Sequence, residues 1–154
     1  MRKALFIILA IVATQAKAAD DVGIGGILGS PTGISGHLML DKDEMLVGAL
    51  GYGFWHYSGL YFHTDYVIVD PSYGFNIKTA EWDVYYGVGG RFVAINSGDD
   101  KDKMNLGVRV PVGVLHRLRK PRFLVFGEIV PVLNIAPRTE IGFDAGIGAR
   151  FLFD

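Results

Sequence analysis

His56 and Ser58, with Tyr57 between them, are the residues in this 154-residue chain best spaced for nucleophilic chemistry. Two apart, they share one face of an extended strand, where an imidazole can take a hydroxyl proton and free the oxygen to attack. A carboxylate must then orient the imidazole, and Asp70 is the acid downstream. Other chemistries find less support. There is no cysteine, and the four histidines lack a tight metal-ligand spacing. Gly87-x-Gly89-Gly90 lies within a strand pattern, not ahead of a helix, so it is not a phosphate-binding loop. The acidic stretch 97–102 could take a divalent cation, although a solvated turn accounts for it more simply.

A second set of candidates is dispersed along the chain: the acids Asp65, Asp83, Glu128 and Asp144, the arginines Arg91, Arg109 and Arg150, and the histidines His37 and His63. Each stands on the more polar side of an alternating pattern. Brought together in one interior, these groups must pair, because a lone buried charge is prohibitively costly. The simplest role for such a network is a structural plug, and ligand or proton binding at His37, His63 and Asp65 is the functional alternative. Paired carboxylates of this kind do not by themselves establish catalysis.

The elements that position these residues read as strands. Alternating runs at 22–29, 34–40, 46–55, 60–69, 81–94, 105–115, 123–135 and 141–154 are separated by turn-forming residues. Eight strands with short connections predict an antiparallel meander with no room for helices. Parity sorts each run. One face collects Ile24, Leu28, Ile34, Leu50, Phe62, Val108, Val110, Val112, Ile129, Ile147 and Phe151, and the other collects the charges above and many of the 21 glycines. Pro111 and Pro131 cannot donate to a ladder; with a turn near 119–121 they fall almost opposite each other, and a shared bulge is expected there.

Alternation alone fits a soluble barrel with the apolar face inward or a membrane barrel with it outward. Volume decides between them. An eight-stranded barrel has an interior just wide enough for side chains, and this long list of bulky groups would overfill it. Glycines and a few charges of both signs suit a narrow lumen, whereas a wetted outer face would carry more Lys, Glu, Thr and Ser. Runs of this length match tilted membrane strands, which in hydrocarbon must close into a ring. Aromatic residues near run ends, among them Phe54, Trp55, Trp82 and Phe153, fit the lipid–water boundary.

Arg2 and Lys3, the apolar run 4–13 and Ala16-Lys17-Ala18 have the form of a cleaved export signal, giving a leader at 1–18 and a barrel domain at 19–154. Removing Arg2, Lys3 and Lys17 from the 15 basic residues leaves 12 against 16 acidic ones, which gives no electrostatic case for nucleic acid. With the mature N-terminus in the periplasm, the outer loops are 30–32, 55–59, 96–103 and 137–139, and the longer connection 71–79 is periplasmic.

The last strand, Gly148-Ala149-Arg150-Phe151-Leu152-Phe153, resembles the C-terminal assembly signal of bacterial outer-membrane barrels. It departs from that pattern in having Asp154 after the final aromatic and Gly146 where a polar residue is usual. The meander as a whole resembles the small eight-stranded outer-membrane barrels, the group of the transmembrane domain of outer-membrane protein A. The phrase Gly25-Gly26-Ile27-Leu28-Gly29-Ser30-Pro31-Thr32-Gly33 is similar to openings of small barrels in that group. The His-x-Ser at 56–58 is faintly similar to that of outer-membrane lipid A deacylases, but Asp70 is not the glutamate and Gly59 replaces the asparagine that this likeness implies.

Together these readings predict an all-β, eight-stranded antiparallel up-and-down transmembrane barrel of the bacterial outer membrane. It is expected to be monomeric and non-enzymatic, with no cofactor or metal, and to have a polar, charge-paired lumen and no open pore. Its expected partners are outer-membrane lipids and the barrel-assembly machinery, with a structural or interaction role at the cell envelope. A soluble periplasmic ligand-binding barrel and a membrane-embedded lipid hydrolase are the alternatives.

Overall fold

The computed structural model describes residues 22–55 and 57–153; the expected leader at 1–18 and His56 lie outside them. Nine segments form one antiparallel sheet: β1 (Val22–Gly29), β2 (Thr32–Asp41), β3 (Glu44–Gly53), β4 (Gly59–Ile77), β5 (Ala80–Ile95), β6 (Met104–Arg109), β7 (Val112–Arg119), β8 (Arg122–Ala136) and β9 (Glu140–Phe153). β6 and β7 follow each other between the same neighbours, β5 and β8, so the nine segments build a ring of eight staves. The ring closes where β1 pairs with β9, from Val22↔Phe153 to Gly29↔Gly146. No strand edge is left open along these pairings, which is how a sheet avoids unpaired backbone.

The period-two pattern settles which face is which. On β4, Tyr61, His63, Asp65, Val67 and Val69 are buried, while Leu60, Phe62 and Tyr66 are exposed. Arg109 is 0% exposed, whereas Val108, Val110 and Val112 on either side of it are 38%, 44% and 48% exposed. The bulky apolar set points outward all around the ring, as expected from overfilling.

Three expectations need correction. The connection 71–79 is not a loop: β4 runs on to Ile77 and pairs with β5 through Phe75↔Trp82 and Ile77↔Ala80, leaving a turn at Lys78 and Thr79. Pro71 marks a register shift between Asp70 and Phe75 rather than the end of the strand. A proline, which has no N–H to donate, is tolerated at such an irregularity.

The prolines at 111 and 131 share no bulge. The register is the same on both sides of them, Arg109↔Val132 and Val112↔Ile129, so no residue is inserted. Each proline keeps its acceptor, since Gly87 N donates to Pro111 O and Val110 N to Pro131 O, both at 3.0 Å. What is lost is the return bond, and that interrupts the strand between β6 and β7. The register shift lies one turn away, between Leu106 and Gly107 opposite 134–136.

The interior is layered rather than wholly ionic. Met45, Val47, Val67, Val69, Leu115 and Leu124 fill the half nearer the start of β1, and Tyr57, Tyr61, Val93 and Ile95 fill the other end. The charged residues form a belt between these layers.

Candidate functional site

Glycine makes room for the belt. Several large lumenal side chains stand across from a glycine on a neighbouring strand: His37↔Gly23, Tyr85↔Gly113, Phe126↔Gly148 and Arg150↔Gly25, with Gly89 between Asp65 and Arg109. A Cβ on Gly89 would lie 2.0 Å from Asp65 Oδ1, and one on Gly148 would lie 2.5 Å from Phe126 Cζ. These glycines are therefore packing partners of the bulky residues opposite them in a narrow lumen.

Arg109 is the centre of the belt. Its Nε lies 3.0 Å from Asp65 Oδ1 and its Nη2 lies 3.0 Å from Glu128 Oε1, while its Nη1 donates to the Tyr61 hydroxyl at 2.7 Å. Tyr61 in turn donates to Asp144 Oδ2 at 2.5 Å, the atom that Arg91 Nη1 reaches at 2.6 Å. Arg91 also donates from Nε to Asn105 Oδ1 at 3.1 Å and from Nη2 to Asn134 Oδ1 at 2.7 Å. Tyr85 donates to Glu128 Oε2 at 2.7 Å, and His63 Nδ1 lies 3.0 Å from Asp65 Oδ2. The planar guanidinium fork lets each arginine serve several partners at once, which a lysine at the same place could not do.

Six of the nine candidates thus join one network: His63, Asp65, Arg91, Arg109, Glu128 and Asp144. Arg150 stands apart, with no carboxylate at ion-pair distance among the described residues. Its Nε and Nη2 donate to Ser35 Oγ at 3.0 and 2.8 Å, and its guanidinium sits 4.0 Å from the Phe126 ring centroid. His37 is buried beside Gly23 and makes no ion pair among the described residues. Asp83 lies outside the belt, at the mouth of the barrel, with no ion pair among the described residues. Tyr61, Asn134 and Ser35 escaped the candidate set; Tyr61 has the parity of His63, so the alternation could have found it.

The opposite end carries a separate polar cluster. Asp100, in the turn 96–103, accepts from Lys103 Nζ at 2.9 Å and from Arg138 Nη2 at 2.5 Å, and Tyr57 donates to Glu140. The Lys103 hydrogen bond, aided by Arg138, holds the Asp100 carboxyl below its usual value, and Asp100 in turn raises Arg138. Burial, then Glu140, raises the Tyr57 hydroxyl. Two cations already occupy the Asp100 oxygens, which removes that acid as a ligand for a divalent ion. The hydrolase arrangement also fails in one part: Ser58 and Asp70 stand at opposite ends of the wall-spanning part of β4, twelve residues apart, or roughly 40 Å along a strand. Ser58 Oγ donates instead to Phe54 O at 3.4 Å.

No protein-family model matches the chain, and no curated protein does. Among solved structures, the crystal structure of the N-terminal β-barrel domain of Pseudomonas aeruginosa OprF superposes with a TM-score of 0.58 at 14% identity, over 85% of this chain and 94% of that one. At that identity the likeness concerns the fold alone, an eight-stranded antiparallel β-barrel.

Proposed function

We propose that this chain is an outer-membrane β-barrel of a bacterial cell envelope, exported on a leader at 1–18 and inserted by the barrel-assembly machinery, with a structural or interaction role and no catalysis. One observation carries the reading: Arg109, fully buried, is bound by Asp65, Glu128 and Tyr61 inside a wall whose outer side chains are exposed and apolar. A water-soluble barrel inverts that arrangement, because exposed apolar patches of this extent are rare on soluble monomers. Acyl chains are the solvent such a wall fits.

The lumen is read as closed. Arg91 and Arg109 pair with Asp65, Glu128 and Asp144, and apolar layers lie above and below the belt. The network then serves as a plug that fixes the barrel shape. Fractionation and gel migration test the reading together. The processed chain is expected in the outer-membrane fraction, extracted only by detergent, with faster migration before boiling than after. Recovery as a soluble periplasmic monomer overturns it in favour of the soluble barrel. In planar bilayers the purified protein is expected to give no sustained porin-sized conductance, and steady open channels contradict the closed lumen.

A further inference from the structure

At the end where β1 begins and β9 ends, the lumen opens into two cavities of about 710 and 450 Å³. They meet at Arg117 and Leu152, which line both. Their floor is apolar, since Met39 and Leu152 pack on the buried cluster around Leu115 and Leu124. The β7–β8 hairpin brings Arg117 and Arg119 to one wall, and β5 brings Glu81 and Asp83 to another.

Two features of this vestibule point to a ligand. His37 lines the smaller cavity and is only 6% exposed, yet its imidazole makes no hydrogen bond among the described residues. A buried ring nitrogen left unsatisfied is costly unless something polar arrives to meet it. Arg117 and Arg119, meanwhile, form no ion pair among the described residues, and the contact Arg117 does make is Nη2 to Met39 Sδ at 3.8 Å. Two guanidinium groups thus stand without an ion pair among the described residues beside an apolar floor, Arg117 where the two cavities join and Arg119 in the larger one.

We propose that this vestibule binds an amphipathic anion: a single phosphate or carboxylate head on a short alkyl chain. Arg117 and Arg119 take the head, as guanidinium groups do with planar or tetrahedral oxyanions. The His37 imidazole supplies a further polar contact in the smaller cavity, and the alkyl chain lies against Met39 and Leu152. Glu81 and Asp83 disfavour a second negative charge and hold the head on the β7–β8 side. The inference goes beyond the envelope reading and rests on the barrel mouth, so failure of the one leaves the other testable.

The test uses the folded barrel in phosphatidylcholine nanodiscs, with the His37 imidazole and the Met39 methyl observed by NMR. Octyl phosphate is expected to shift both signals saturably, and inorganic phosphate to bind at least about tenfold more weakly. Nanodiscs doped with phosphatidic acid distinguish the source: the same shift without octyl phosphate identifies a membrane lipid head, and its absence identifies a free amphiphile. Arg117→Ala with Arg119→Ala is expected to weaken octyl phosphate by about tenfold or more, while Arg138→Ala at the far end leaves it unchanged. Should the double variant not fold, as judged by gel migration, Arg117→Gln alone is read in the same way. Absence of saturable shifts, equal binding of inorganic phosphate, or unaltered affinity in the arginine variants overturns the proposal.

Discussion

Replacing Arg109 by alanine removes the central cation of the lumenal belt and leaves its partners in place. Asp65 and Glu128, with side chains 1% and 5% exposed, each lose an ion-pair contact of 3.0 Å, and Tyr61 loses a donor at 2.7 Å. Breaking a buried pair by deleting one partner costs about 3–5 kcal/mol, mostly through the uncompensated charge left behind. The lost bond to Tyr61 adds about 0.5–1.5 kcal/mol, and water entering the vacated space returns some of the total, so a net loss of about 4 kcal/mol is expected. The same change made with Asp65→Asn and Glu128→Gln should cost no more than about 2 kcal/mol, because no orphaned charge remains. Arg109→Lys should fall between, keeping the charge while losing the fork. Urea unfolding of the refolded barrel in vesicles, followed by tryptophan fluorescence, reads all three. A loss below about 1 kcal/mol for Arg109→Ala, or an equal loss in the neutralised background, refutes the view that this belt is a coupled charge network.

Further expectations follow from the wall, the glycines and the turn cluster. Val110→Arg, on the outward face beside Pro111, is expected to cost about 2–4 kcal/mol in a bilayer, where a water-facing position would shift stability by less than about 0.5 kcal/mol; urea midpoints in vesicles decide. Gly148→Val drives a side chain into the Phe126 ring, 2.5 Å from the Cβ position, and should destabilise by about 1–3 kcal/mol. Gly26→Ala, whose Cβ meets nothing nearer than 3.6 Å, should be nearly silent in the same assay. Asp100, with its carboxyl lowered first by Lys103 and then by Arg138, contributes order to the turn 96–103 that is present above the unfolded carboxylate value and lost as pH falls through the lower folded one. Amide exchange in that turn should therefore differ between the native chain and Asp100→Asn at neutral pH, with the difference closing only in acid.

Which face a residue occupies could be read from the sequence, because strand side chains alternate wherever the register is unbroken and the bulky set could not fit inside a ring of this size. Height along the barrel could not be read. Parity places Asp83 and Asp65 on the same face, yet register sets Asp83 at the mouth and Asp65 beside Arg109. Met45, Val47, Val67 and Leu124 share the polar face by parity, and only the strand pairings stack them into an apolar layer. Proline misled twice, at a register shift inside β4 and at a break whose carbonyls still pair. Pro71 sits inside β4, and Pro111 interrupts a strand whose alignment continues unchanged.

The central claim is that the outward valines meet lipid while the belt between them stays sealed. Paramagnetic broadening in nanodiscs tests it directly, with a spin label on the acyl chains in one sample and a water-soluble agent in another. The lipid-borne label should broaden the methyls of Val108, Val110 and Val112 and spare the Arg109 guanidinium, and the aqueous agent should reach neither. Broadening of those valine methyls by the aqueous agent, with Arg109 exposed to it as well, would contradict the account.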